Sequence, residues 1–202
     1  MTRCLVTDRR RLSPGARSFA AARRALVEQA ERAVADGVDL IQVRERDVEA
    51  VELAALVADL VAVTRGSATR VVVNDRVDVA LASGADGVHL RADSVPVAAA
   101  RALLPVPWLV GRSVHTVDEA RAASGADYLI AGTVFPSASK STGPASAELL
   151  GIDGLRAIAR ATAVPVLAIG GITSARIAEV VAAGAAGIAA IGLFIDSLKP
   201  PS

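Results

Sequence analysis

Two arginines and an amide alternate in the run Gln42-Val43-Arg44-Glu45-Arg46. In an extended chain Gln42, Arg44 and Arg46 share one face, and Val43 and Glu45 take the other. Guanidinium groups bind phosphate oxygens bidentately, so this convergence suits a phosphate or diphosphate. A solvated charge cluster is the plain alternative, and Glu45 reads as an internal salt-bridge partner. Asn74-Asp75 offers an amide to orient a substrate and a carboxylate for a hard cation such as Mg²⁺, or else a helix N-cap. The chain has two histidines, His89 and His115, each near the end of an apolar run; Ser113 shares parity with His115, and Arg112 falls on the other face. Ser137-Ala138-Ser139-Lys140 sets hydroxyls around a lysine, which could hold a phosphate or order a lid. Gly170-Gly171 after Ile169 and Gly192 after Ile191 allow close backbone approach, and the helix starting near Thr173 offers N–H groups to an anion.

These residues sit where apolar runs stop, and the runs recur. Four copies of one phrase, a glycine-capped helix end followed by an apolar run, carry glycines at 37, 84, 125 and 184. Further apolar runs at 4–7, 71–74, 109–113 and 166–169 lie between them. One strand-helix unit takes roughly 20–30 residues, so the copies are two units apart. Eight strands alternating with helices imply a single (β/α)8 TIM barrel over residues 1–202, with its site where the strands end. Apolar residues at helical spacing predict helices over 19–36, 48–65 and 116–124. Thr116 with Glu119 makes a capping box, and Thr173 or Ser174 can cap the helix after Gly171. The loop 133–148, after strand six, is the longest excursion, and long loops on that face carry function. Only residues 193–199 remain for the last helix, which is therefore short; the flank it leaves open suits a homodimer.

Composition narrows the partners. Apolar residues make up 52% of the 202 and aromatics 2%, so the core is aliphatic, as buried parallel strands require. With 22 basic against 21 acidic side chains, no global field draws nucleic acid or an anionic membrane. The one cysteine, Cys4, excludes an internal disulfide and fits a reducing cytoplasm. The stretch 180–195 is glycine-broken and shorter than the ~20 residues of a spanning helix.

Taken in order, Gln42-Val43-Arg44-Glu45-Arg46, Val73-Asn74-Asp75, Asp86-Gly87-Val88-His89-Leu90, Gly111-Arg112-Ser113-Val114-His115-Thr116, Ser137-Ala138-Ser139-Lys140 and Ile169-Gly170-Gly171-Ile172 resemble the thiamine phosphate synthase/TenI superfamily. The resemblance implies a small barrel acting on a thiazole phosphate in thiamine biosynthesis. Its synthase branch couples hydroxymethylpyrimidine diphosphate to thiazole phosphate with Mg²⁺; its TenI branch includes thiazole tautomerases, which need no metal. Gln42, Arg44, Asn74, Asp75, Ser113 and Lys140 match the pyrimidine-diphosphate site. The paired glycine exits of strands seven and eight, where barrels recurrently bind phosphate, place the thiazole phosphate near the backbone of Gly170, Gly171, Ile191 and Gly192 as an expectation, helped by Ser137 and Ser139.

Two departures stand out. Arg46 replaces a typical lysine, and Arg91-Ala92-Asp93-Ser94 replaces Gly-Gln-Glu-Asp, so that Ser94 stands where the family's second Mg²⁺ ligand would be. Asp93 lies one position early and points elsewhere unless the loop shifts. These departures and Gly-Arg-Ser-Val-His resemble TenI, so the expectation is a thiazole tautomerase, an isomerase with His115 as acid/base group. The alternative is the synthase, a transferase using Asp75 and Mg²⁺; a further alternative is a non-catalytic ligand-binding or regulatory protein.

Overall fold

Runs such as Val71-Val72-Val73 have no polar side to offer solvent, and such strands are stable only when both faces are covered. A computed structural model of the chain describes residues 1–137 and 149–196. Its strands are β1 (Thr2–Val6), β2 (Leu40–Val43), β3 (Arg70–Asn74), β4 (Gly87–Leu90), β5 (Leu109–Val114), β6 (Tyr128–Gly132), β7 (Val166–Ile169) and β8 (Gly187–Ala190). All neighbours pair in parallel, and β1 pairs β8 to close the barrel. The helices are α1 (Arg9–Leu12), α2 (Phe19–Ala35), α3 (Ala50–Thr64), α4 (Val77–Ser83), α5 (Val97–Leu103), α6 (Val117–Ala122), α7 (Gly151–Ala161), α8 (Ile177–Ala182), led in by a 3-10 turn at Ser174–Arg176, and α9 (Gly192–Asp196).

Pleat alternation sorts the side chains into two cores. Cys4, Val6, Leu40, Val72, Tyr128, Ile130, Leu167 and Ala189 pack inside the barrel. Their strand neighbours, Leu5, Ile41, Val71, Val73, Val88, Val110 and Leu129 among them, face the helices and join the larger core. No helix among the described residues is long and apolar enough to cross a membrane.

The repeated phrase has a structural cause at the strand entrances. Asp39, Asp86 and Asp127 stand just before β2, β4 and β6, and each carboxylate accepts the N–H of the preceding strand's first turn of ladder: Arg3, Val71 and Val110, all at 2.7 Å. Each aspartate also donates its own N–H to that same residue's carbonyl. This two-way clamp pins one strand to the next. The fourth copy has Ala186, which keeps the backbone half, donating to Val166, without a carboxylate. Close approach governs the closing seam as well: a Cβ on Gly187 would overlap the Thr2 carbonyl of β1.

Local expectations fare differently. Thr116 caps α6, accepting the Glu119 N–H at 3.1 Å. Asn74-Asp75 does not cap a helix: α4 begins at Val77, and Asp75 has φ 62°, the left-handed region. Thr173 precedes the 3-10 turn without a side-chain capping bond.

Asp86→Ala removes the carboxylate half of one clamp far from the barrel mouth. It should lower stability by about 1–3 kcal/mol, read as a lower urea midpoint, with ligand binding at the mouth unchanged.

Candidate active site

At the C-terminal rim, four adjacent strands aim polar side chains inward. Gln42 of β2 donates from Nε2 to Oδ1 of Asn74 on β3 at 3.0 Å. His89 of β4 lies 2.9 Å from Ser113 Oγ on β5 through Nε2, and 3.2 Å from the Tyr128 hydroxyl on β6 through Nδ1. The His89 and Tyr128 rings stack at 5.5 Å. His89 is 1% exposed; burial first, then the cations of Arg112 and Arg44, push its pKa down to about 3. A neutral imidazole between two hydroxyls fixes the Ser113 hydroxyl rather than moving protons.

Above this layer the walls are cationic. A cavity of about 740 Å³ is lined by Arg10, Arg11, Arg44, Arg46 and Arg91 against only Asp8 and Asp93, with Gln42, Asn74, His89, Ser113 and His115 beneath or beside them. Arg44 is half-buried, and burial with the neighbouring Arg46 pulls its pKa down. Arg9 is different in kind: it binds Glu45 at 3.0 Å and Asp47 at 2.6 Å, which makes it a structural arginine. Glu45 is 5% exposed and is thereby the internal ion-pair partner.

Beside this cavity lies a second of about 480 Å³, lined by Gly171, Thr173, Ser174 and Gly192 among others. The two share Arg11, Ser137, Ile169, Gly170 and Ile191 as a common wall. Gly171 has φ 62°, and a Cβ there would press into the Pro136 carbonyl and Phe135. Its glycine is thus required by packing of the loop after β6, before any ligand is considered. Arg176 holds the same corner, donating to the Gly171 carbonyl at 3.0 Å and covering Phe135 at 4.3 Å.

The rim after β3 and β4 is the candidate cation corner. The Ser94 hydroxyl donates to Asp75 Oδ1, and Arg91 Nη1 stands 3.6 Å from Asp75 Oδ2. One carboxylate and one adjoining hydroxyl are hard oxygen donors, and Mg²⁺ accepts so few protein ligands when substrate phosphates complete its shell; the residues fit that ion. Asp93 does not turn into the corner, because it is bound by Arg91 through Nε at 2.8 Å and Nη2 at 2.5 Å.

His115 stands past the end of β5, half-exposed at the mouth, with Nδ1 3.3 Å from Glu119. Ser139 and Lys140 lie outside the described residues. Sequence reasoning missed Arg10, Arg11 and Arg91. Arg10 and Arg11 follow β1, whose strand end carries the same signal as the others and was legible in Asp8-Arg9-Arg10-Arg11.

The thiamine monophosphate synthase family model matches residues 11–194. The chain is 45% identical over 175 residues to the thiamine-phosphate synthase of Methanoregula boonei, covering 85% of this chain and 79% of that protein. It is 43% identical over 179 residues to the thiamine-phosphate synthase of Natronomonas pharaonis, covering 88% and 83%. Among solved structures, thiamine phosphate pyrophosphorylase from Pyrococcus furiosus superposes with a TM-score of 0.78 at 36% identity, covering 95% and 85%. These findings overturn the tautomerase expectation. The relatives are named as synthases and a pyrophosphorylase, so the isomerase reading, for which His115 is the expected acid/base group, falls. Ser94 does not decide the branch: the cavity beside it keeps its lining of Arg44, Arg46 and Arg91 whatever stands at that position.

The buried His89 carries a pH signature. Below its ordinary value of 6.5 the unfolded chain gains a proton there that the folded chain refuses until about pH 3, so stability falls as pH drops through that window. His89→Gln should shrink the loss of urea stability between pH 7 and pH 4.5, whatever its effect at pH 7. An undiminished loss would show that other groups govern it.

Proposed function

Because the chain belongs to the thiamine monophosphate synthase family, we propose that it couples hydroxymethylpyrimidine diphosphate to thiazole phosphate, releasing pyrophosphate. The observation that carries this reading is the pair of anion-suited cavities sharing one wall. A coupling reaction must hold two phosphorylated substrates with their reacting atoms in contact, whereas an isomerase needs a place for one.

In this reading the pyrimidine rests on the inward layer. Gln42 and Asn74 order each other, and Ser113, oriented by His89, presents its hydroxyl to a ring heteroatom. Arg44 and Arg46 face the diphosphate. The thiazole phosphate occupies the smaller cavity, near Gly170, Gly171, Ile191 and Gly192, with Ser137 at the shared wall. Ser139 would join Ser137 on that phosphate, and Lys140 would face the diphosphate, as the sequence leads one to expect. The C–O bond to the diphosphate breaks with its electron pair leaving on pyrophosphate, and the thiazole nitrogen lone pair forms the new C–N bond. No proton needs to move at the reacting carbon, so the neutral His89 and the peripheral His115 are consistent with this chemistry. Mg²⁺ held by Asp75 and Ser94 would supply countercharge to the departing diphosphate.

The purified protein, given both substrates and Mg²⁺, should form thiamine phosphate and stop on chelation with EDTA. Asp75→Asn should reduce kcat by roughly 10²–10³-fold, the scale of several kcal/mol of charge stabilisation. Ser94→Asp should lower the Mg²⁺ concentration needed for half-maximal rate. Failure to form thiamine phosphate from the two substrates would end the proposal.

A further inference from the structure

Arg91 lines the large cavity and also a pocket of about 180 Å³ between the ends of β2 and β3, where Arg46, Asn74 and Asp75 meet. Its guanidinium is oriented from two sides. The edge formed by Nε and Nη2 is bound by Asp93, and Nη1 faces Asp75 at 3.6 Å. Nη1 itself makes no hydrogen bond among the described residues, Asp75 lying just beyond that range. An ion pair this exposed, 42% for Arg91 and 70% for Asp93, adds little to folding stability. Its effect is to hold a flexible cation in one pose.

The loop beneath is fastened too. Arg112, on the helix-facing side of β5, donates to the carbonyls of Ala92 at 2.7 Å and Val95 at 2.5 Å, and reaches that of Ser94 at 3.4 Å. The segment carrying Arg91, Asp93 and Ser94 is thereby tied down across its length. The corner it forms has one carboxylate and one hydroxyl for a cation, so a metal ion there lacks a second anionic ligand, while a fixed guanidinium stands beside it.

We propose that Arg91 is a diphosphate ligand in its own right, a guanidinium clamp that would share the charge of the leaving group with any cation held at Asp75. The inference rests on the synthase reading for the identity of that anion, but its test does not need turnover. Planar guanidinium donors match two phosphate oxygens at once, which an ammonium does not.

The test is calorimetric titration of the full chain with inorganic pyrophosphate in EDTA. The unmodified protein should bind without metal. Arg91→Gly should weaken that binding about 10–100-fold, the range for charge-assisted hydrogen bonds. Arg91→Lys should fall between the two. Circular dichroism and thermal melting check the fold, and Arg91→Gln, which retains most of the stem, serves if the glycine variant unfolds. Pyrophosphate affinity within twofold of the unmodified protein in a folded Arg91 variant overturns the proposal, as does failure of the unmodified protein to bind pyrophosphate in EDTA. Tighter Mg²⁺ binding by Arg91→Gly with unchanged pyrophosphate affinity would also overturn it, since Arg91 would then only neutralise Asp75. A protein that makes no thiamine phosphate but loses pyrophosphate affinity through Arg91 keeps this anion site and loses the synthase reading, so the two failures are distinct.

Discussion

A strand slipped by one residue turns its inward side chains outward, and a closed ring of eight strands has no edge at which to absorb the slip. The register of this barrel therefore decides whether Gln42, Asn74, His89 and Ser113 meet at all. Three aspartates at the strand entrances set that register, each gripping both backbone groups of one residue on the strand before. The fourth position has Ala186, beside the seam where Gly187 lets β8 approach β1. The clamps that tie strand to strand thus lie at the entrance end of the barrel, and the mouth carries Arg44 and Arg46 with no ion pair among the described residues.

That unpaired charge has a pattern. Two arginines that serve the fold are neutralised by carboxylates: Arg9 is held between Glu45 and Asp47, and Arg101 by Asp127 at 2.5 Å. At the mouth the arginines divide: Arg10 and Arg91 pair with Asp47 and Asp93, while Arg44 and Arg46 make no ion pair among the described residues, and Arg44 is half-buried beside a like charge. Holding two such cations together is unfavourable, and a diphosphate bound there, as proposed, would gain part of its binding energy from relieving that repulsion. The polar layer below works by the opposite rule. Gln42 satisfies Asn74, and His89 satisfies both Ser113 and Tyr128, so these groups are ordered before a substrate binds and lose little freedom when it does.

The barrel was legible because its signals are local and repeated: apolar runs, helix periodicity and glycine at helix ends. Parity along Gln42-Val43-Arg44-Glu45-Arg46 separated the site arginines from the internal partner Glu45 for the same reason, since alternation needs no tertiary knowledge. What stayed hidden depended on neighbours in space. Nothing in Asp86 itself says that it grips Val71. Asn74-Asp75 allowed both a cap and a ligand, and only the left-handed backbone of Asp75, with its carboxylate at Ser94, excludes the cap. Gly171 looked like a concession to a ligand, yet its missing side chain makes room for the loop after β6.

Ser94 shows why one site position is a poor guide to a reaction. Replacing a carboxylate by a hydroxyl lowers the affinity of a corner for Mg²⁺, but catalysis of diphosphate departure depends on total countercharge at the transition state and not on any single ligand. Here the loop that lost the carboxylate also holds Arg91, fixed by Asp93 and underpinned by Arg112. A site can shift part of its electrostatic task from a bound cation to a covalently attached one without changing the bonds made and broken. The number of substrates, by contrast, is written in space rather than in charge. Two cavities share Ile169, Gly170 and Ile191 as a wall, and room for a second phosphorylated substrate is a demand of the proposed coupling that an isomerisation does not make.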